Sequence, residues 1–340
     1  MREFQRLRVG VFTVGIRWFT PMLFLVAFAL SAKACNIPVF RYALERWKTD
    51  PVEIVVFGKG DLPESDALKL KQLSDLASGP DSSLNAKLIY VDVTKPIDAS
   101  YETLWSRLKH QVSAMPYLTV CTKGNGGRRG RYFRSPLRDV APETIIRSAV
   151  RDELKRRLLA GHSVVWLLIK SPDATKNDAA TKLLRDSFRS LQSKIKLPEG
   201  IGLPGSELYA DVPLVMQFSV LEIDPKKNED PYLIDALTSL GPLPWQEDDP
   251  IIVPVFGRGR ALEVLPARLV DESMVRQITE YLAGACSCQV KEQNPGFDLL
   301  IHCEWDSELF GGVDNRPPDR SNIEGTNQPP TLVPIPPGRK

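Results

Sequence analysis

Apolar and polar positions along the chain fall into a repeated order. Residues 53–57 (EIVVF) make a short apolar run of strand length. Residues 65–76 (SDALKLKQLSDL) predict a helix with Leu68, Leu73 and Leu76 near one face. A second strand is predicted over 87–93 (KLIYVDV) and a second helix over 101–112 (YETLWSRLKHQV). Residues 115–122 (MPYLTVCT) read as a strand opened by proline, and 123–131 (KGNGGRRGR) as a glycine-rich turn. One long helix is expected over 143–159, with Ile145, Ile146, Ala149, Val150, Leu154 and Leu158 inward, stopping at Gly161.

The order then recurs. Residues 163–169 (SVVWLLI) predict a strand, and 179–195 a helix with the stripe Leu183, Leu184, Phe188, Leu191. A strand follows over 214–223 and a helix over 232–240. Pro250 opens IIVPVF, GRGR at 257–260 turns, and a helix over 272–282 ends at Gly284. The two repeats close on similar words, LLAG at 158–161 and YLAG at 281–284. This is the signature of a tandem duplication of one α/β unit.

The unit, β-α-β-α followed by a proline-opened strand, a hairpin and a helix, resembles the thioredoxin fold. That resemblance implies an α/β chain of two tandem thioredoxin-like domains, 35–161 and 162–310, the second carrying a C-terminal hairpin. A cis-proline opens the third strand in that family, so one or both of Pro116 and Pro250 are expected to be cis. The family's dithiol chemistry needs Cys-x-x-Cys after the first strand, where a helix N-terminus lowers a thiol pKa. The matching positions read GKGDLPESD (58–66) and KSPDATKND (170–178), with no cysteine in either. A scaffold without its redox pair is therefore expected, with function carried by its surfaces and no cofactor.

The flanks change the picture. Residues 1–34 carry Arg2, Arg6, Arg8 and Arg17 ahead of an uncharged apolar run, WFTPMLFLVAFALSA, over 18–32. A basic region, an apolar core and the small-x-small sequence Ala32-Lys33-Ala34 describe an export signal. Fifteen apolar residues fall short of the roughly twenty that a full span needs. An uncleaved membrane anchor is the competing reading. Cys35 directly follows, where a bacterial lipoprotein signal places its lipid-bearing cysteine. The phrase CNIPVFRYALERW resembles the start of mature, uncharacterised predicted lipoproteins from planctomycete-like bacteria. Residues 311–340 hold seven prolines and few apolar anchors, and read as a disordered tail.

Charge follows the same division. The chain has 44 basic and 42 acidic residues, but five bases and one acid lie in the first 35 positions. The remainder is close to −2, which leaves no broad basic field for nucleic acid. The expected partners are the membrane and an envelope protein.

Candidate chemistry concentrates in residues 284–306, which hold Cys286, Cys288, His302 and Cys303. A hairpin turning at Asn294-Pro295 would set Cys286 opposite Cys303, within reach of a disulfide. Cys288–Cys303 pairing, a metal site from the same four side chains, and a reactive Cys-x-Cys pair are the competing readings. Cys121 reads as a small buried hydrophobe. Arg128, Arg129 and Arg131 in the first turn could hold an anionic headgroup or acidic partner; the turn lacks the GK[ST] of a phosphate loop. His110 and His162 stand outside any recognisable catalytic constellation. The expectation is an exported, membrane-associated, non-catalytic interaction or assembly protein of a bacterial envelope. The alternative is a thiol-redox or metal-handling envelope protein using Cys286, Cys288 and Cys303.

Overall fold

A computed structural model describes residues 36–78, 84–123, 129–240, 246–286, 291–311 and 317. The chain folds as mixed α/β around two sheets. The first contains β1 (Val52–Gly58), β2 (Ala86–Asp92), β3 (Tyr117–Lys123) and β4 (Arg129–Pro136), in the order β2-β1-β3-β4. β1 and β2 are parallel, joined over helix α2 (Glu64–Ser78), while β3 and β4 run antiparallel. Helix α3 (Ala99–Leu108) returns the chain to β3. The Met115–Pro116 peptide is the one cis bond among the described residues, so the bond before Pro250 is trans.

The second sheet repeats the plan. β5 (Val164–Ile169) pairs in parallel with β6 (Phe218–Ile223) and antiparallel with β7 (Ile251–Phe256). The short strands β8 (Arg260–Ala261), β9 (Leu265–Pro266) and β10 (Phe297–Asp298) extend it. Strands β1, β5 and β7 are buried along their whole length, as central strands covered on both faces must be.

Period-two alternation on these strands sets the layers. Val165, Leu167 and Ile169 of β5 join Ile54 and Val56 of β1 in one apolar cluster shared by both sheets. Val164, Trp166 and Leu168 point the other way, toward α6 (Ala174–Lys194) and α8 (Glu272–Ala283). Helix α7 (Pro231–Leu240) from the second repeat packs along β4 of the first, with the Tyr232 and Phe133 rings 5.9 Å apart. The repeats are therefore interlocked through a common core.

The expected long helix over 143–159 is two helices. α4 (Pro142–Ile146) ends at Arg147, and α5 (Ala149–Leu159) begins after Ser148; both linking residues are extended. Ser148 accepts from Arg151 N and caps α5. Arg151 turns back to satisfy the last carbonyls of α4, donating to Thr144 O at 2.9 Å and Ile145 O at 2.8 Å. Its Nε meets Asp230 at 2.7 Å, and its Nη1 reaches Leu300 O at 3.1 Å. Apolar periodicity runs through the break, which is why the sequence pattern reads as continuous.

Both ends of the described chain depart from expectation. Helix α1 (Val39–Arg46) and Trp47 precede the first sheet in sequence, within the bounds 35–161 expected for the first domain. Phe40, Tyr42 and Trp47 instead join the outer core of the second sheet. Nor, among the described residues, do 286 and 303 pair as the expected hairpin would require. Ala285 pairs with Pro38, and Cys286 N donates to Ile37 O. Phe297 and Asp298 pair with β8, and the chain then crosses to the first sheet. There the Asn85 side chain acts as a surrogate peptide, donating to Leu299 O and accepting from Ile301 N.

Asp230→Ala leaves the Arg151 guanidinium buried without its counter-charge. It should cost about 3–5 kcal/mol, read as a lower urea midpoint with unchanged slope. The double variant Arg151→Met/Asp230→Leu should recover part of that loss; equal or greater destabilisation would mean that the carbonyl bonds matter more than the charge pair.

Candidate functional site

In each repeat, the turn after the first strand is where the resemblance locates chemistry. In the first, β1 ends at Gly58 and the chain turns through Gly60 into α2. The Asp92 carboxylate accepts from Gly60 N at 3.1 Å, Thr94 N at 3.0 Å and Thr94 Oγ1 at 2.7 Å. The Thr94 hydroxyl and these two amides hold its carboxyl well below the usual range. Tyr90 Oη donates to Gly60 O at 2.9 Å and closes the loop from above. In the second repeat, Asp173 accepts from Thr175 N and Lys176 N and caps α6 with its own carboxylate. The Asn177 side chain exchanges bonds with Ser171, accepting from Ser171 N and donating to Ser171 O, both at 2.9 Å. In the first turn the Gly60 amide is thus taken up by Asp92 at the end of β2, and in the second the Ser171, Thr175 and Lys176 amides are taken up by Asn177 and Asp173.

The thiols lie elsewhere, and apart. Cys121 is wholly buried on β3. Cys286 belongs to the outer core of the second sheet, whereas Cys303 belongs to the core shared by both sheets. The disulfide expected between Cys286 and Cys303 is not formed, because the strands that would have paired them are drawn to different partners. Cys35 and Cys288 lie outside the described residues. Among those described, no three His, Cys, Asp or Glu side chains converge as a metal centre, so Cys286, His302 and Cys303 are not gathered around one point. His302 bridges to Leu84, and its ring pKa is lowered by burial and then by Arg147 and Lys155.

Cys303 lines a cleft of about 280 Å³ with Lys48, Arg258 and Trp305. Burial pushes its thiol up to about 12, against 9.0 for an ordinary cysteine. It is therefore a neutral thiol at physiological pH.

Arg128 also lies outside the described residues, and Arg129 and Arg131 occupy β4 opposite Lys123 and Cys121. The other glycine–arginine turn, GRGR, carries a charge network that the sequence reading missed. Arg258 donates to Leu44 O at 2.7 Å and Glu45 O at 3.1 Å, and pairs with Asp306 at 2.7 Å. Arg260 meets Asp298 at 3.0 Å beneath the Trp47 ring. Lys291 bridges Asp298 and Asp50. A Cβ on Gly257 would stand 2.7 Å from Ala43 Cβ, and one on Gly259 2.3 Å from Ile301 Cδ1. Glycine at both positions lets this turn lie between the N-terminal helix and the C-terminal segment. Three cations and three carboxylates balance, so the network ties segments together.

No family model and no curated protein matches this chain. Among solved structures it is similar to the first two thioredoxin domains of Naumovozyma dairenensis Eps1p, at 12% identity over 68% of this chain and 91% of that one. The TM-score is 0.21, too low for the likeness to carry an argument.

In the folded protein at about pH 8, iodoacetamide should modify Cys303 far more slowly than in denaturant, because burial pushes its thiol up to about 12. Peptide mapping by mass spectrometry measures this, and rapid labelling of Cys303 would contradict its burial. His162 and His302 both have lowered ring pKa values, chiefly through burial. The unfolded chain then binds more protons on acidification, so stability present above the ordinary value of about 6.5 is lost as pH falls below it. Urea midpoints between about pH 7 and pH 5 should drop for the wild type and change less for His162→Gln/His302→Gln.

Proposed function

We propose that this chain is an exported, membrane-associated, non-catalytic interaction or assembly protein of a bacterial cell envelope, built on two tandem thioredoxin-like units over 35–161 and 162–310. The observation that carries the reading is the state of the two turns after β1 and β5. Each lacks a thiol; Asp92 holds the Gly60 amide of the first, and Asp173 and Asn177 hold amides of the second. The buried neutral thiol of Cys303, and its separation from Cys286, weigh against the thiol-redox and metal-handling alternative. Export and membrane association rest on the basic and apolar composition of residues 1–34 and on Cys35 behind it. The interaction role rests on a scaffold whose usual reaction site is closed, leaving its surfaces to carry specificity.

The chain expressed in a bacterial host should sediment with membranes. Mass analysis of its N-terminus should find diacylglycerol on Cys35, a modification lost in Cys35→Ser. Purified protein should leave the rate of insulin disulfide reduction at the uncatalysed level. Robust dithiol exchange, or recovery in the soluble fraction, would overturn the reading; an intact Met1 in the membrane would replace the lipid by an anchoring segment.

A further inference from the structure

The first described residue, Asn36, is fixed to the body of the protein. Its amide donates to Ser206 Oγ at 3.0 Å, and Ser206 is buried. The loop that receives it, residues 200–206, reads GIGLPGS and carries no charge. Backbone bonds within the loop, Gly202 N to Ser206 O and Ser206 N to Leu203 O, fold it tightly. Leu203 is raised at the tip with 62% of its surface exposed, the highest figure among the large apolar residues that are described. A Cβ on Gly200 would lie 2.9 Å from Asn36 Nδ2 and 3.6 Å from Leu203 Cδ1. The exposed leucine and the point where the chain leaves the body are thus neighbours.

This loop is firmly seated. The Arg41–Glu45 pair of α1 binds its C-terminal continuation: Glu45 accepts from Tyr209 N and Ala210 N, and Arg41 donates to Ala210 O. Arg46 donates to Glu207 O. A groove of about 600 Å³ lies between α6 and α8, lined by Lys194, Lys196 and Arg276 against Glu272 and Glu280. The groove reaches Gly284, whose carbonyl accepts from Val39 N.

The apolar run over 18–32 ends four Cα steps before Asn36, about 14 Å at full extension. We infer that the 200–206 loop is a membrane-contact element. Leu203 and Pro204 enter the headgroup–acyl boundary. This rests on the membrane-associated reading above and adds an orientation to it. A lipid surface is the occupant because the adjoining apolar segment brings one within reach, and the apolar tip around Leu203 projects beyond the Glu199 and Glu207 carboxylates at its base, as an element that enters the headgroup–acyl boundary must.

The test uses the full chain in vesicles of phosphatidylethanolamine and phosphatidylglycerol. The photoreactive residue p-benzoylphenylalanine replaces Leu203 in one variant and Leu68, 58% exposed on α2, in another. Both positions are open, so neither substitution burdens the core. After flotation and illumination, lipid adducts should dominate at position 203 and stay at background at 68. Flotation with equal adduct yields, or with none at 203, leaves the membrane-associated reading standing and overturns the contact. A chain that fails to float overturns both.

Discussion

The buried Arg151–Asp230 pair is the contact on which the interlock of the two repeats depends. Arg151 belongs to the last helix of the first repeat, and Asp230 stands at the start of α7 in the second. The guanidinium ends α4, helps start α5 and holds the carbonyl of Leu300. Asp230 accepts from Leu233 N and from the Ser148 hydroxyl. Tyr232 lies under the guanidinium at 4.9 Å. A buried charge pair is not a strong source of stability by itself, since desolvation offsets much of its attraction. Its bonds tie four segments together: Arg151 joins the end of α4, the start of α5, Asp230 and Leu300.

The same economy operates at the seam of the GRGR turn. Arg258 and Arg260 reach the backbone of α1, the end of β10 and Asp306 at once. Each terminal segment is held by groups distant in sequence, so neither is an appendage. The N-terminal helix covers the second sheet and the C-terminal segment covers the first. The two sheets thereby share one core, and Asn36 is held at a defined spot on the body by Ser206.

Much of the architecture was legible in the sequence because it is written in periodicity. The buried runs of β1, β5 and β7 and the stripe of α6 have one physical reading each. The absence of thiols from both turns was equally plain. The helix break at 147–148 was not, because Ile145, Val150 and Leu154 stay in phase while the cause lies with Asp230, some eighty residues away. The expected pairing of Cys286 with Cys303 was missed for a related reason. Its expected register assumed that neighbours in sequence pair with each other, but Ile37 and Pro38 compete for residues 285–286 and β8 takes Phe297 and Asp298.

Local pattern, then, determined which segments are strands and helices, their repeated order, and the lack of a dithiol at the expected place. Tertiary structure alone decided where charged and reactive side chains come to rest. A glycine–arginine turn looks solvated in one dimension, and it is buried here because α1 and the C-terminal segment close over it. Three cysteines look clustered, yet Cys286 and Cys303 part because each faces a different core. Hydrophobic periodicity is set by a residue's own neighbours, whereas burial of a charge or a thiol is set by whichever remote segment supplies its partners.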